Sequence, residues 1–224
     1  MKRVLVCTLF LTALNCISAQ VKKPIRQQPV APENKQATEW IGILAGPNFN
    51  NLRYHDNTTT IEGSNAGLHG GIFYKKDFNK NLSFQPWLLF SLRGGEINDV
   101  DSSIDATLSY LELPINLLYV HKHLSIGGGP NFCYAIGGQF ASNGVKRNVY
   151  DAAESFERTL KRFELGANLM IAYQFKNQLS VIANFSPGLT NIYKGDHSAP
   201  QNVHANTSMF GLSLGYGFDI TRED

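Results

Sequence analysis

Cysteine is nearly absent from this sequence, and its scarcity excludes two classes at once. Only three are present, and Cys7 and Cys16 fall in an N-terminal leader, which leaves Cys133 alone. A single thiol builds neither a disulfide scaffold nor a cysteine zinc cluster. Charge is also scarce, at 17% of residues, where about a quarter is usual. Nor does one sign dominate. The formal charge is +2, and without Lys2 and Arg3 of the leader 18 basic residues would face 18 acidic ones. A neutral chain lacks the basic footprint of a nucleic-acid binder, so no nucleic-acid partner is expected. Long apolar runs are missing too. The leader's run, 4–14, has 11 residues, too short for a membrane helix of about 20.

What the first residues do contain is an address. Lys2 and Arg3 precede the apolar run, and Ile17, Ser18 and Ala19 offer a small residue before Gln20. This predicts a secretory signal peptide over 1–19. Asn15 before Cys16 is a poor match to a lipoprotein cleavage site. Residues 20–39 carry Pro24, Pro29 and Pro32 among Gln and Lys, with almost nothing apolar to bury. They read as a disordered tail. The folded domain is expected over 40–221.

From Trp40 onward apolar and polar or small residues alternate, the period-2 signature of strands. Leu82, Phe84, Leu88, Phe90 and Leu92 alternate with Ser83, Gln85, Ser91 and Arg93. Eight such segments are predicted, at 40–49, 65–76, 82–94, 107–120, 124–136, 162–175, 179–191 and 207–220. The links at 77–81, 121–123 and 176–178 are tight; those at 50–64, 95–106, 137–161 and 192–206 are long. Short turns at one end and long loops at the other predict an all-β fold, an eight-stranded antiparallel up-and-down transmembrane barrel.

A soluble sandwich also alternates, but with its apolar face inward. Two features favour a barrel whose apolar face points out to lipid. The opposite face is small and Gly-rich (Gly67, Gly71, Gly127, Gly129, Gly211), as a narrow lumen requires. Tyr74, Tyr119, Tyr173 and Tyr216 share the apolar parity near the ends of alternate segments. They form half of an interfacial aromatic girdle. Pro86, Pro114, Pro130 and Pro187 fall inside segments, where bulges are expected, above all around Glu112 and Pro114.

These segments carry a resemblance. Tyr110-Leu111-Glu112-Leu113-Pro114, followed by Ile115-Asn116-Leu117-Leu118-Tyr119, resembles a signature of the PorT-like outer-membrane β-barrel proteins. Gly46-Pro47-Asn48-Phe49-Asn50, Phe84-Gln85-Pro86 and Gly127-Gly128-Gly129-Pro130 are similar to that family's first, third and fifth strands. The resemblance covers about 40–220. It implies an eight-stranded barrel in the outer membrane of a Gram-negative bacterium. The family's founding member takes part in type IX secretion and gliding, a role that a strand pattern shared by many paralogues does not by itself transfer.

The candidate chemistry is thin. Arg93, Glu112 and Glu164 have inward parity, with Arg162 near the rim. Either they gate or catalyse, or they form a structural plug. The plug is favoured, because charges out of water must be paired. His69 has inward parity with Ser64 above it, but no local constellation makes a triad. No catalytic, cofactor-binding or metal residue is assigned. His121-Lys122-His123 reads as a solvated turn rather than a metal site, as do Asp196-His197 and His204. Cys133 reads as a small inward residue. Val149, Ala152, Ala153, Phe156 and Leu160 repeat at helical spacing and predict a short helix over the mouth. The expected role is structural or interaction-type. The partners expected are outer-membrane lipid and, through the extracellular loops, envelope or secretion proteins, with the barrel itself a monomer. A lipid-modifying enzyme or a narrow channel is the alternative.

Overall fold

The computed structural model describes residues 38–55, 60–99, 102–142, 145–150, 160–194 and 204–221. The strands are β1 Thr38–His55, β2 Thr60–Asn79, β3 Leu82–Asp99, β4 Ser102–His121, β5 Leu124–Ser142, β6 Val145–Asn148, β7 Phe163–Gln174, β8 Leu179–Pro187 and β9 His204–Asp219. Every pairing is antiparallel. The order runs β4-β3-β2-β1-β9-β8-β7-β5, and a further β4–β5 pairing closes the ring at eight strands. Strand β6 stands outside the ring as a flap hydrogen-bonded to the outer end of β5. Closure gives each strand of the ring a partner on both sides, which the interior of a bilayer demands.

Parity assigns the faces. Ile43, Leu68, Leu117, Leu169 and Leu214 stand exposed on the outer wall, while Asn48, Asn116, Asn168 and Ser213 are buried inside. Close strand approach explains the inner glycines. A Cβ on Gly129 would fall on the Ile115 carbonyl, and one on Gly71 on the Leu88 carbonyl. Two of the three tight turns use left-handed backbone, at Lys122 (φ 55°) and Gln178 (φ 67°). Asn81 caps its turn by donating Nδ2 to the Val120 carbonyl at 2.9 Å.

The inner face is not uniformly polar. Trp87, 1% exposed, joins Leu44, Phe73, Leu89, Leu118, Met170 and Ile182 in an apolar plug at the short-turn half. A second apolar cluster fills the mouth at the other end. It unites Leu52, Leu108, Tyr110 and Ala135 from the strands with Val149, Leu160, Ile192 and Tyr193 from the connections. The polar layer lies between.

Several expectations need correction. Strand β1 starts at Thr38, two residues before the predicted first segment, where the Glu39 amide is held by Thr221 Oγ1 (3.0 Å) and its carboxylate by Lys76 Nζ (2.7 Å). The stretches 50–64 and 95–106 are mostly strand. β1–β2 and β3–β4 keep their ladders up to His55↔Thr60 and Asp99↔Ser102. Backbone pairing continues there without an apolar face to announce it. Residues 137–142 and 145–148 are likewise strand, and β8 stops at Pro187, which has no N–H to extend the ladder. No bulge accompanies Glu112 and Pro114, whose pairings with Leu89 and Asn131 stay in register. The irregularities fall instead at Ser109/Tyr110 and at Asp77/Asn79. The leader, the tail up to residue 37 and the helix expected over 149–160 lie outside the described residues, apart from the ends of that last segment. There the Leu160 amide donates to the Val149 carbonyl at 3.2 Å.

Candidate functional site

Antiparallel pairing puts residues of like parity on the same side of the wall, so β3, β4, β5, β7 and β9 all send polar side chains into one layer. Arg93 lies at its centre. Its Nε donates to Glu112 Oε1 at 3.0 Å, and its Nη2 pairs with Glu112 Oε2. Its Nη1 donates to Thr207 Oγ1 at 3.0 Å. The guanidinium lies 5.3 Å from the Tyr110 ring centroid. Glu112 also accepts Ser91 Oγ and Asn131 Nδ2, the latter at 3.0 Å. Bidentate pairing with further donors is the arrangement that makes a buried charge tolerable.

Glu164 joins through Thr207. It accepts the Thr207 amide at 3.1 Å and the Thr207 hydroxyl at 2.8 Å. That hydroxyl therefore donates to one charge and accepts from the other. Nearer the short-turn end an amide chain crosses three strands. Asn184 Nδ2 donates to Asn168 Oδ1 (3.1 Å), and Asn168 Nδ2 to Asn116 Oδ1 (2.8 Å). Ser186 Oγ adds a bond to Asn168 Oδ1 at 2.7 Å.

The structure thus brings Arg93, Glu112 and Glu164 together and leaves Arg162 out. Arg162 is exposed on the rim, donating to the Ala135 carbonyl at 3.1 Å and stacking 4.5 Å from the Tyr150 ring centroid. Burial pushes the Tyr150 phenol pKa up despite that cation. Nor do Arg93 and Glu112 pair directly across β3 and β4. Arg93 faces Leu108 and Glu112 faces Leu89, so the long guanidinium reaches diagonally. Cys133 sits beside both, its Sγ 3.8 Å from Glu112 Oε2.

His69 does find a hydroxyl, but not that of Ser64. Its Nε2 shares a 2.6 Å hydrogen bond with Ser213 Oγ. Its Nδ1 has no hydrogen-bond partner among the described residues, and both side chains are buried. A triad needs an acid on that second nitrogen and an accessible hydroxyl. His121, Lys122 and His123 are exposed, with the His123 ring 5.8 Å from Tyr173. His204 is exposed opposite His55, and Asp196 and His197 lie outside the described residues. No metal-ligating cluster occurs among the described residues. Tyr74, Tyr119, Tyr173 and Tyr216 all face outward near the short turns, and Phe175 and Phe218 meet the last two edge-to-face, with ring centroids 5.1 and 5.0 Å apart.

Thr207 and the His69–Ser213 bond escaped the sequence reading. Inward parity was the only available signal, and it does not say which strands meet across a lumen.

A closed barrel with an apolar outer wall and a hydrogen-bonded polar layer inside defines an integral outer-membrane protein. The chain belongs to the family described as outer membrane protein beta-barrel domain, which matches residues 20–194. Among solved structures it is similar to neisserial surface protein A, at 12% identity and TM-score 0.48, covering 80% of this chain and 97% of that one. OprG from Pseudomonas aeruginosa gives 13% and 0.47, covering 81% and 96%. Ail of Yersinia pestis, in complex with the heparin analogue sucrose octasulfate, gives 15% and 0.44, covering 80% and 99%. No curated protein matches the chain.

Proposed function

We propose that this protein is a sealed, non-enzymatic barrel that meets envelope or secretion partners through its outer connections. The observation that carries this reading is the filled lumen. Trp87, Leu89 and Leu118 obstruct one half, and Leu108, Val149 and Ile192 obstruct the other. An eight-stranded barrel has room inside for side chains only. What is left for recognition is the loop end, the usual seat of binding on a rigid scaffold. The Tyr110–Pro114 motif supports a PorT-like affiliation, and with it a place in a type IX secretion or gliding machinery. The outward tyrosines support a girdle at the periplasmic interface, and the leader supports export by signal peptide.

Three measurements separate the classes. The purified barrel should give no steady conductance in planar bilayers, and its deletion should leave lipid A masses unchanged. Crosslinked membranes should yield an envelope protein bound to the outer connections. Stable single-channel steps, or a lipid A mass shift on deletion, would replace this reading with a channel or an enzyme.

A further inference from the structure

Charge is divided unevenly around the outer rim. Among the described residues, the outer ends of the β1–β2 and β3–β4 hairpins, 53–62 and 96–105, contain Glu62, Glu96, Asp99 and Asp105 against Arg53. The opposite side is basic. Leu160 bridges to Tyr193, so Lys161 and Lys194 flank one short ladder, and Arg162 follows directly. The Lys161 amide is held by the Ile192 carbonyl at 2.6 Å and its Nζ by the Asn191 carbonyl at 3.2 Å. With Arg162 stacked on Tyr150, two of these cations are fixed in place. All three side chains are exposed, and none pairs with a carboxylate among the described residues. Asp151, Glu154, Glu157 and Asp196, in the adjoining stretches, lie outside those residues.

Lower on β7, toward the midplane, the lipid-facing wall has a hollow. Cross-strand pairing sets Gly128 beside Leu169 and Leu169 beside Phe185, and in the next row Ile126 beside Ile171 and Ile171 beside Ala183. Gly128 and Ala183 add little bulk between large neighbours, which opens an apolar groove on the outside of β5, β7 and β8. From Arg162 down to Leu169 is on the order of 18 Å along the membrane normal, at a rise of about 3.3 Å per residue and a tilt near 40°. That is close to half the thickness of a hydrocarbon core of about 30 Å.

We propose that the β5–β8 side is a binding site for a phosphorylated, acylated lipid of the outer leaflet. Lys161, Arg162 and Lys194 take the phosphate, and the Gly128–Ala183 groove takes an acyl chain. Complementary charge selects the headgroup. The groove continues the lipid-facing wall, so the tail needs no separate desolvation. Arg162 leaves guanidinium donors free for a forked contact with phosphate oxygens.

The test uses the full barrel in dodecyl maltoside, with retained lipid measured by native mass spectrometry. Lipid A bearing its phosphates should bind at least about tenfold more tightly than lipid A stripped of them. Lys161→Gln, Arg162→Gln and Lys194→Gln combined should erase that preference. Ala183→Phe should weaken both lipids while leaving inorganic pyrophosphate binding unchanged. Heat-modifiable mobility on gels verifies that each variant is a folded barrel. Equal retention of the two lipids by the unaltered protein would overturn the proposal, as would an unchanged preference in the triple variant. Pyrophosphate binding as tight as lipid A, with lipid retention unmoved by Ala183→Phe, would overturn it in favour of a site for soluble anions.

Discussion

The two apolar plugs are built from different materials. The lower one takes every member from barrel strands, Trp87 and Leu89 from β3, Phe73 from β2, Ile182 from β8. The upper one borrows Val149, Leu160, Ile192 and Tyr193 from connections that fold back over the mouth. The lower plug is a consequence of register and cannot leave without opening the ladder. The upper plug depends on a few backbone bonds, such as Val149 N to the Gly138 carbonyl at 3.2 Å and Ile192 N to the Ala205 carbonyl at 2.8 Å. Local opening should therefore cost less at the mouth than at the base.

The largest expected effect lies at the base. Trp87→Ala should lower stability by about 3–5 kcal/mol in urea unfolding from lipid vesicles, as expected for a truncated buried aromatic. A loss below about 1 kcal/mol would mean that the lower plug is not packed as a core. Next comes the wall. Leu88→Arg and Leu113→Arg should each cost about 2–4 kcal/mol near the midplane, and less toward an interface. Neutral results at both would reverse the two faces.

The layer between the plugs should behave as a unit. Arg93→Ala and Glu112→Ala should show a favourable coupling on the order of 1–3 kcal/mol in a double-mutant cycle. Strict additivity would dissolve the pair. The smallest effect should be at the mouth. Ile192→Ala should change global stability by less than about 1 kcal/mol, yet speed hydrogen exchange at the Lys161 amide that bonds to the Ile192 carbonyl. A global loss equal to that of Trp87→Ala would erase the distinction between the plugs.

The outer wall was legible because lipid imposes one simple rule on alternate residues. Leu88, Leu113 and Leu169 followed it without exception. The interior obeys no such rule. Trp87-Leu88-Leu89-Phe90 is apolar on both faces, so alternation marks Ser83, Gln85, Ser91 and Arg93 as inward but gives no sign of Trp87 and Leu89. The outer hairpins hid for the opposite reason. Asn50, Asn51, Ser64 and Asn65 alternate nothing, and only continued pairing holds them as strand. Within the site, the Arg93–Glu112 contact was foreseeable from neighbouring strands and parity, although its diagonal geometry was not. Thr207 meets Arg93 only through closure of the ring, a contact between distant parts of the chain.

That closure has a consequence for biogenesis. The seam joins the first strand to the last, with Ile41 opposite Phe218 and Leu52 opposite Thr207. Until β9 is delivered, β1 has one unpaired flank, and so does β8. Neither flank has a tolerable state in hydrocarbon. Insertion thus waits on β9 reaching β1, a pairing between distant parts of the chain of the kind that slows folding. A chain cut before His204 would have no membrane-inserted resting form, only an open sheet searching for a partner, and such a fragment should be cleared rather than accumulate.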